Sequence, residues 1–148
     1  MNQTEHIIIK DKTFDVIRSA VNKLVDQVRP TFGPASNKVI INKLPYRMVV
    51  DDGVQIARDF QLNDPVENAI VSLVREVAIK TNDRVGDGTT NSLILLQAIL
   101  NEISRKTKID GHKIEKELKR GLEEVKTQLL KSVKKIKTKE ELKKVALV

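Results

Sequence analysis

Three short segments of this chain hold the residue types that phosphate and metal chemistry need: Gly86-Asp87-Gly88-Thr89-Thr90, Asp51-Asp52-Gly53 and Thr31-Phe32-Gly33-Pro34. In the first, two glycines let backbone N–H groups come close to a ligand, and two threonine hydroxyls fall in the first turn of the helix expected to follow. A helix starts with uncompensated N–H groups and the positive end of its dipole. Those are the parts of a phosphate cradle. Asp87 inside such a cradle repels phosphate unless a divalent cation lies between them, which makes it a Mg²⁺ ligand in a hard-oxygen site completed largely by water. The segment is not a Walker A loop, because no G-x-x-x-x-G-K-[ST] occurs and no Lys follows the glycines. The residues taken alone leave a plainer reading open: Gly-Asp-Gly as an ordinary turn with Thr89 as a helix N-cap, Asp51-Asp52-Gly53 as a turn after a strand, and Thr31 to Pro34 as a turn.

Other chemistries find no support. The chain has no cysteine, so it has no disulfide, thiolate metal site or Cys nucleophile. His6 and His112 have no partners at metal-ligand spacing, and none of the serines sits in a nucleophile-elbow context. No apolar run reaches the roughly 18 residues of a membrane span, and the opening MNQTEHIIIK lacks the basic and apolar regions of a secretory signal, so a cytoplasmic protein without membrane contact is expected. Tyr46 and the three Phe are scattered and offer no stacking platform for single strands.

The elements that must position these segments can be read from periodicity. Phe14, Ile17, Val21, Leu24 and Val28 line one face of a helix from Lys12 to Val28. His6 to Ile9 before it reads as an edge strand. Residues 38–42 and 47–50 read as a hairpin joined by residues 43–46, with a short helix over 54–58. Asp64-Pro65-Val66-Glu67 combines an Asp N-cap, Pro at the first helical position and Glu at the third. The helix that follows is expected to bury Val66, Ile70, Leu73 and Val77, with Ala69, Val74 and Ala78 widening the stripe, and to end between Lys80 and Asn82. A loop over 83–90 then leads into an apolar helix carrying Leu93, Leu96, Leu100 and Ile103. Beyond Gly111 a third amphipathic helix carries Ile114, Leu118, Leu122, Val125, Leu129 and Val133. Thr138-Lys139-Glu140-Glu141 opens a last one as a capping box. The expected fold is mainly α, a helical bundle with a small β-hairpin and edge strand, in a single domain over 1–148.

Charge separates the chain into two parts. Residues 1–100 hold 12 basic and 12 acidic residues, whereas residues 101–148 hold 15 and 8, which is the whole net charge of +7. The eight acids interleaved with the C-terminal basics favour a solvated face over a nucleic-acid surface.

The order of the segments carries more than any one of them. Thr31-Phe32-Gly33-Pro34, Asp52-Gly53-Val54 with Ile56-Ala57-Arg58, Glu67-Asn68, Gly86-Asp87-Gly88-Thr89-Thr90 and Leu118-Lys119-Arg120-Gly121 together closely resemble the N-terminal equatorial segment of a GroEL-type (group I) chaperonin, over roughly residues 10–148. The resemblance implies an ATP site in which Thr31, Phe32, Gly33 and Pro34 pack around the nucleotide, Asp87 binds Mg²⁺, and Gly88, Thr89 and Thr90 contact phosphate oxygens. Gly53 would lie beside the phosphates and Asp52 would help place the attacking water, so Asp52 is the catalytic candidate. It also implies ring assembly with other chaperonin subunits, through the N-terminal strand and the hairpin, and support of ATP-dependent protein folding. Two residues depart from the family's pattern: Asn91 stands where a third threonine is usual and extends the phosphate-contacting set, and Asp51 stands where a basic or amide residue is usual. The apical domain, which grips unfolded clients, and the returning equatorial half are absent from these 148 residues, so little or no turnover is expected of the chain by itself. The competing expectation is a non-catalytic interaction module, either a chaperonin-derived partner subunit or a basic helical protein that binds nucleic acid.

Overall fold

Apolar residues at three- and four-residue steps set the helices, while capping side chains, proline and glycine set where they begin and stop. A computed structural model describes residues 13–33, 36–43, 45–105 and 110–147. Along the chain these form α1 (Thr13–Val28), a single 3-10 turn (Arg29–Thr31), β1 (Val39–Lys43), β2 (Tyr46–Val50), α2 (Gly53–Asp59), α3 (Pro65–Val85), α4 (Thr89–Ser104), α5 (Gly111–Ser132) and α6 (Lys139–Ala146). The chain is mainly α with one small antiparallel sheet, as its periodicity predicts. The strand expected at Ile7 to Ile9 lies outside the described residues, as do Lys12, Pro34 and Leu44. No helix among the described residues is long and apolar enough to cross a membrane.

Residues 1–106 and 107–148 form separate compact units. In the first, α1, α3 and α4 pack against one another and α2 packs against α3. The core is a continuous cluster: Ala20, Val21, Leu24, Val25 and Val28 from α1, Val54, Ile56 and Ala57 from α2, Ile70, Val71, Val74 and Ala78 from α3, and Leu93 from α4. Burying each such Val, Leu or Ile stabilises the fold by about 1.5–3 kcal/mol relative to exposure.

The hairpin is tighter than expected. Lys43 pairs directly with Tyr46, so both strands run into residues that the sequence reading assigned to the connection. Its inner face lays Val39, Ile41 and Val50 against the core, and its outer face leaves Ile40 and Val49, a cross-strand pair, in solvent.

Two expectations about α3 are corrected. The helix runs to Val85, past the expected end at Lys80 to Asn82, because nothing from 80 to 85 breaks a helix; it stops where Gly86 adopts φ 76°. It is also buried on one side only. The packed stripe is Ile70, Val71, Val74 and Ala78, while Leu73 is 68% exposed and Val77 is exposed as well. Ile70 belongs to both candidate stripes, and α1, α2 and α4 lie on the Val71 and Val74 side.

In the second unit neither α5 nor α6 buries a residue. Asp110 caps α5 by accepting from the His112 and Lys113 N–H groups at 3.1 and 3.4 Å. The reciprocal capping box of Thr138 and Glu141 forms at α6 as expected. Helix α5 ends at Ser132, so Val133 is its C-cap rather than part of its apolar stripe. On its polar face Lys119 pairs with Glu115, Arg120 with Glu117 and Lys126 with Glu123, each a turn away.

Candidate functional site

The end of α1 sets the first part of the site. Pro30 opens the 3-10 turn, and Thr31 Oγ1 donates to the Val28 carbonyl at 2.8 Å. The loop beyond is closed by the Asn37 N–H donating to Pro30 O at 2.8 Å. Phe32 and Gly33 are exposed, and Gly33 has φ 84°. Pro34 lies outside the described residues.

The second part is the start of α2. Asp52 is its N-cap, with Oδ1 accepting from the Val54 N–H at 2.9 Å. Gly53, the first helical residue, is buried where there is no room for a side chain. A Cβ there would overlap Thr90 Oγ1 and lie 3.0 Å from Val28 Cγ1 and 3.2 Å from Thr31 Oγ1. The other end of α2 is held by Arg75 of α3, whose Nε donates to Ala57 O at 2.9 Å and whose Nη2 donates to Phe60 O at 2.8 Å. A cation at a helix C-terminus also suits the helix dipole.

The third part joins α3 to α4. Gly86 caps α3, its N–H donating to Asn82 O at 2.7 Å. Asp87 is exposed, and its Oδ1 accepts from the Gly88 N–H at 2.6 Å. Gly88, at φ 78°, is the N-cap of α4, and no side chain caps that helix. Thr89 therefore stands inside the helix rather than at its cap. Ser92 closes the first turn: its N–H and Oγ both donate to Gly88 O, at 2.9 and 3.0 Å, and Thr81 Oγ1 of α3, which donates to Val77 O at 2.8 Å, lies 3.2 Å from Ser92 Oγ. Thr81 and Ser92 were not singled out in the sequence; a polar pair flanking the glycine loop was the available signal.

These three parts meet. Thr31 Oγ1 and Thr90 Oγ1 are 2.9 Å apart. Since the single Thr31 hydroxyl hydrogen is directed to Val28 O, Thr90 is the donor in that pair. Gly53 sits against both. Thr31, Gly53 and Thr90 thus come from three loops to one point, with Asp52 adjacent in the chain to Gly53. Thr89 is buried, whereas Asp51, Phe32 and Asn91 are exposed.

Among the described residues, no group of three or more His, Cys, Asp or Glu side chains gathers to hold a metal. Asp87 as a lone carboxylate suits Mg²⁺, which is commonly held by one or two carboxylates with phosphate oxygens and water. Glu67 has a different task. Instead of returning to its own helix cap, its carboxylate accepts from Lys23 Nζ at 2.6 Å and Ser19 Oγ at 2.8 Å on α1. Chiefly the Lys23 hydrogen bond, and then that of Ser19, hold its carboxyl below the usual carboxylate range. Asn68 Oδ1 accepts from the Leu62 N–H at 3.1 Å and ties down the segment before α3.

A sequence model of the TCP-1/cpn60 chaperonin family matches residues 24–148. The chain belongs to that family. It is 38% identical over 124 residues to chaperonin GroEL 1 of Prochlorococcus marinus (strain MIT 9313), an alignment that covers 83% of this chain and 22% of that relative. The chaperonin gp146 of bacteriophage EL 2 (Pseudomonas aeruginosa), solved in the presence of ATP-BeFx, superposes with a TM-score of 0.60 and 25% identity over 67% of this chain and 18% of its own. A second crystal form of gp146 gives 0.58 and 24% over 70% and 18%. This chaperonin-family chain therefore spans about a fifth of the length of these relatives. Its mainly α fold with a two-stranded sheet is that of the chaperonin equatorial domain.

Proposed function

We propose that this chain is an ATP- and Mg²⁺-binding equatorial segment of a chaperonin that supports ATP-dependent protein folding in a ring. The observation that carries the reading is the meeting of an uncapped helix start with Thr31 and Gly53. Each of α2, α3, α5 and α6 has an Asp or Thr side chain on its first N–H groups. The first turn of α4 has none, and a Cβ at Gly86 or Gly88 would meet nothing within 4 Å. That is an open, electropositive helix end of the kind that accepts a phosphate group.

In this reading Gly88, Thr89, Thr90 and Asn91 hold phosphate oxygens, and Thr90 turns its hydroxyl hydrogen from Thr31 toward them. Thr31, Phe32, Gly33 and Pro34 flank the nucleotide, and Gly53 lies beside the phosphates, its missing side chain letting Thr31 and Thr90 close on it. Asp87 holds Mg²⁺, which when bound neutralises phosphate charge. Asp52, one oxygen of which is fixed by the α2 cap, helps place the attacking water. Positioning and electrostatics suffice for such chemistry, without a covalent intermediate. The outward Ile40 and Val49 of the hairpin, on strands that among the described residues pair only with each other, support contact with other chaperonin subunits. The same reading places the protein in the cytoplasm.

Titration with fluorescent ATP, with and without Mg²⁺, tests it. Mg²⁺-dependent binding is expected, weakened at least tenfold by Asp87→Ala with thermal stability nearly unchanged, since Asp87 is exposed. Absence of ATP binding, or binding indifferent to both Mg²⁺ and Asp87, would overturn the reading. The ion pairing of Lys119, Arg120 and Lys126 argues against the nucleic-acid alternative, which would show instead as DNA or RNA binding that falls steeply with salt.

A further inference from the structure

The inner stripe of helix α4 carries Thr89, Leu93 and Gln97, all buried. Gln97 falls between Leu93 and Leu100 on that stripe and is only 7% exposed. Both polar atoms of its amide have a partner on the α1 side. Arg29 Nη2, which can only donate, bonds to Oε1, and Nε2 donates to Oδ1 of Asp26, which as a carboxylate only accepts, at 3.3 Å. Asp26 and Arg29 lie one turn apart at the end of α1 and face each other at 3.9 Å. Between a fixed donor and a fixed acceptor, an amide is the neutral group that satisfies both.

Gln97 is one rung of a ladder. Asn101 Nδ2 donates to Asn22 Oδ1 at 3.3 Å, and Arg18 Nη1 donates to Ser104 Oγ at 3.3 Å. Each turn forward along α1, through Arg18, Asn22 and Asp26, meets one turn back along α4, through Ser104, Asn101 and Gln97. The next polar contact in the same direction is Thr31 with Thr90. Apolar contacts alone do not forbid a slip of one helix along the other, since leucine can replace leucine in the groove. Paired polar groups oppose it, because a slip of one turn, about 5.4 Å, breaks each of these hydrogen bonds and takes Gln97 away from the matched donor and acceptor of Arg29 and Asp26.

We infer that Gln97 is a positioning residue for the phosphate site: by joining Asp26 and Arg29 to α4, it fixes the axial place of the α4 N-terminus against Thr31. The inference rests on the ATP reading for its functional consequence and on the ladder alone for its structural one, and the test separates the two. Native-state amide exchange of the 148-residue chain reads the structural part. In Gln97→Met, which keeps the volume and removes both hydrogen bonds, exchange at Ser92, the first bonded amide of α4, is expected to rise about tenfold while Val71 and Val74 of α3 keep their rates. Mg²⁺-ATP should bind about tenfold more weakly. Gln97→Glu keeps the Arg29 bond, sets a charge against Asp26 and should also speed Ser92 exchange. Adding Asp26→Asn reverses donor and acceptor and should return both Ser92 exchange and affinity to within about threefold of wild type. Unchanged Ser92 exchange in the single variants, acceleration spread equally over α1, α3 and α4, or no recovery in the double variant would each overturn the inference. A wild-type chain that fails to bind ATP would defeat the ATP reading, while the exchange measurements would still decide the role of Gln97.

Discussion

The starts of α3 and α4 solve the same problem in opposite ways. Both helices must satisfy or offer up their first N–H groups. At α3 the chain does this internally: Asp64 Oδ1 accepts from the Glu67 N–H at 2.8 Å, Pro65 has no N–H to satisfy, and Glu67 is bound to Lys23 and Ser19. At α4 the cap is a glycine with no capping side chain, and the first turn is met from outside where Thr90 touches Thr31. A helix start whose function is stability is closed by its own residues. On the ATP reading, the start that binds is left open and is positioned from outside.

The largest expected effect comes from removing that outside positioning. Gly53→Ala puts a methyl group against Thr90 Oγ1, with Val28 and Thr31 behind it. ATP affinity should fall more than tenfold and stability by about 1–3 kcal/mol, the usual range for overpacking. Wild-type affinity in this variant would show that the α4 start is indifferent to its neighbours. Asp64→Ala does the reverse. It should cost about 1 kcal/mol in chemical denaturation, as loss of an N-cap does, and leave ATP affinity within twofold.

The smallest effect is acid sensitivity at α3. Because Glu67 has a lowered pKa in the folded state, the unfolded chain takes up its proton first as pH falls. Its contribution is therefore complete above the unfolded value, about 4.3, and is lost as pH drops through the folded one. Denaturation midpoints of wild type and Glu67→Gln should differ at pH 7 and converge once pH has fallen below the folded-state value. Lys23 is 48% exposed, so the difference should stay under about 1 kcal/mol. Parallel curves across that range would remove Glu67 from the account of α3.

How far the sequence could be read depended on how local the cause was. The start of α3 was legible because Asp64, Pro65 and Glu67 act within four residues of one another. Its end lies at Val85 rather than between Lys80 and Asn82, since no helix breaker precedes Gly86. The choice between Leu73 and Val71 as inward residues is made by where α1, α2 and α4 lie, which periodicity in one helix does not contain. The three ligand-like loops were picked out by composition and by their resemblance in series. Their meeting at Thr31, Gly53 and Thr90 depends on contacts across tens of residues. Gln97 is not legible in the sequence, because a single glutamine in an apolar run looks like an interruption until its partners on α1 are seen.

The three-residue link between α3 and α4 also makes the two sides of the site unequal in chain entropy. Gly86, Asp87 and Gly88 close a very short loop, whereas the contact of Thr31 with Thr90 closes 59 residues. Logarithmic scaling of loop closure puts the difference at about 2–3 kcal/mol. One wall of the site thus comes almost without entropic penalty once α3 and α4 have paired. The other exists only while the packing of α1 outweighs that penalty, so any loss of core stability separates Thr31 from Thr90 before it disturbs the glycine loop.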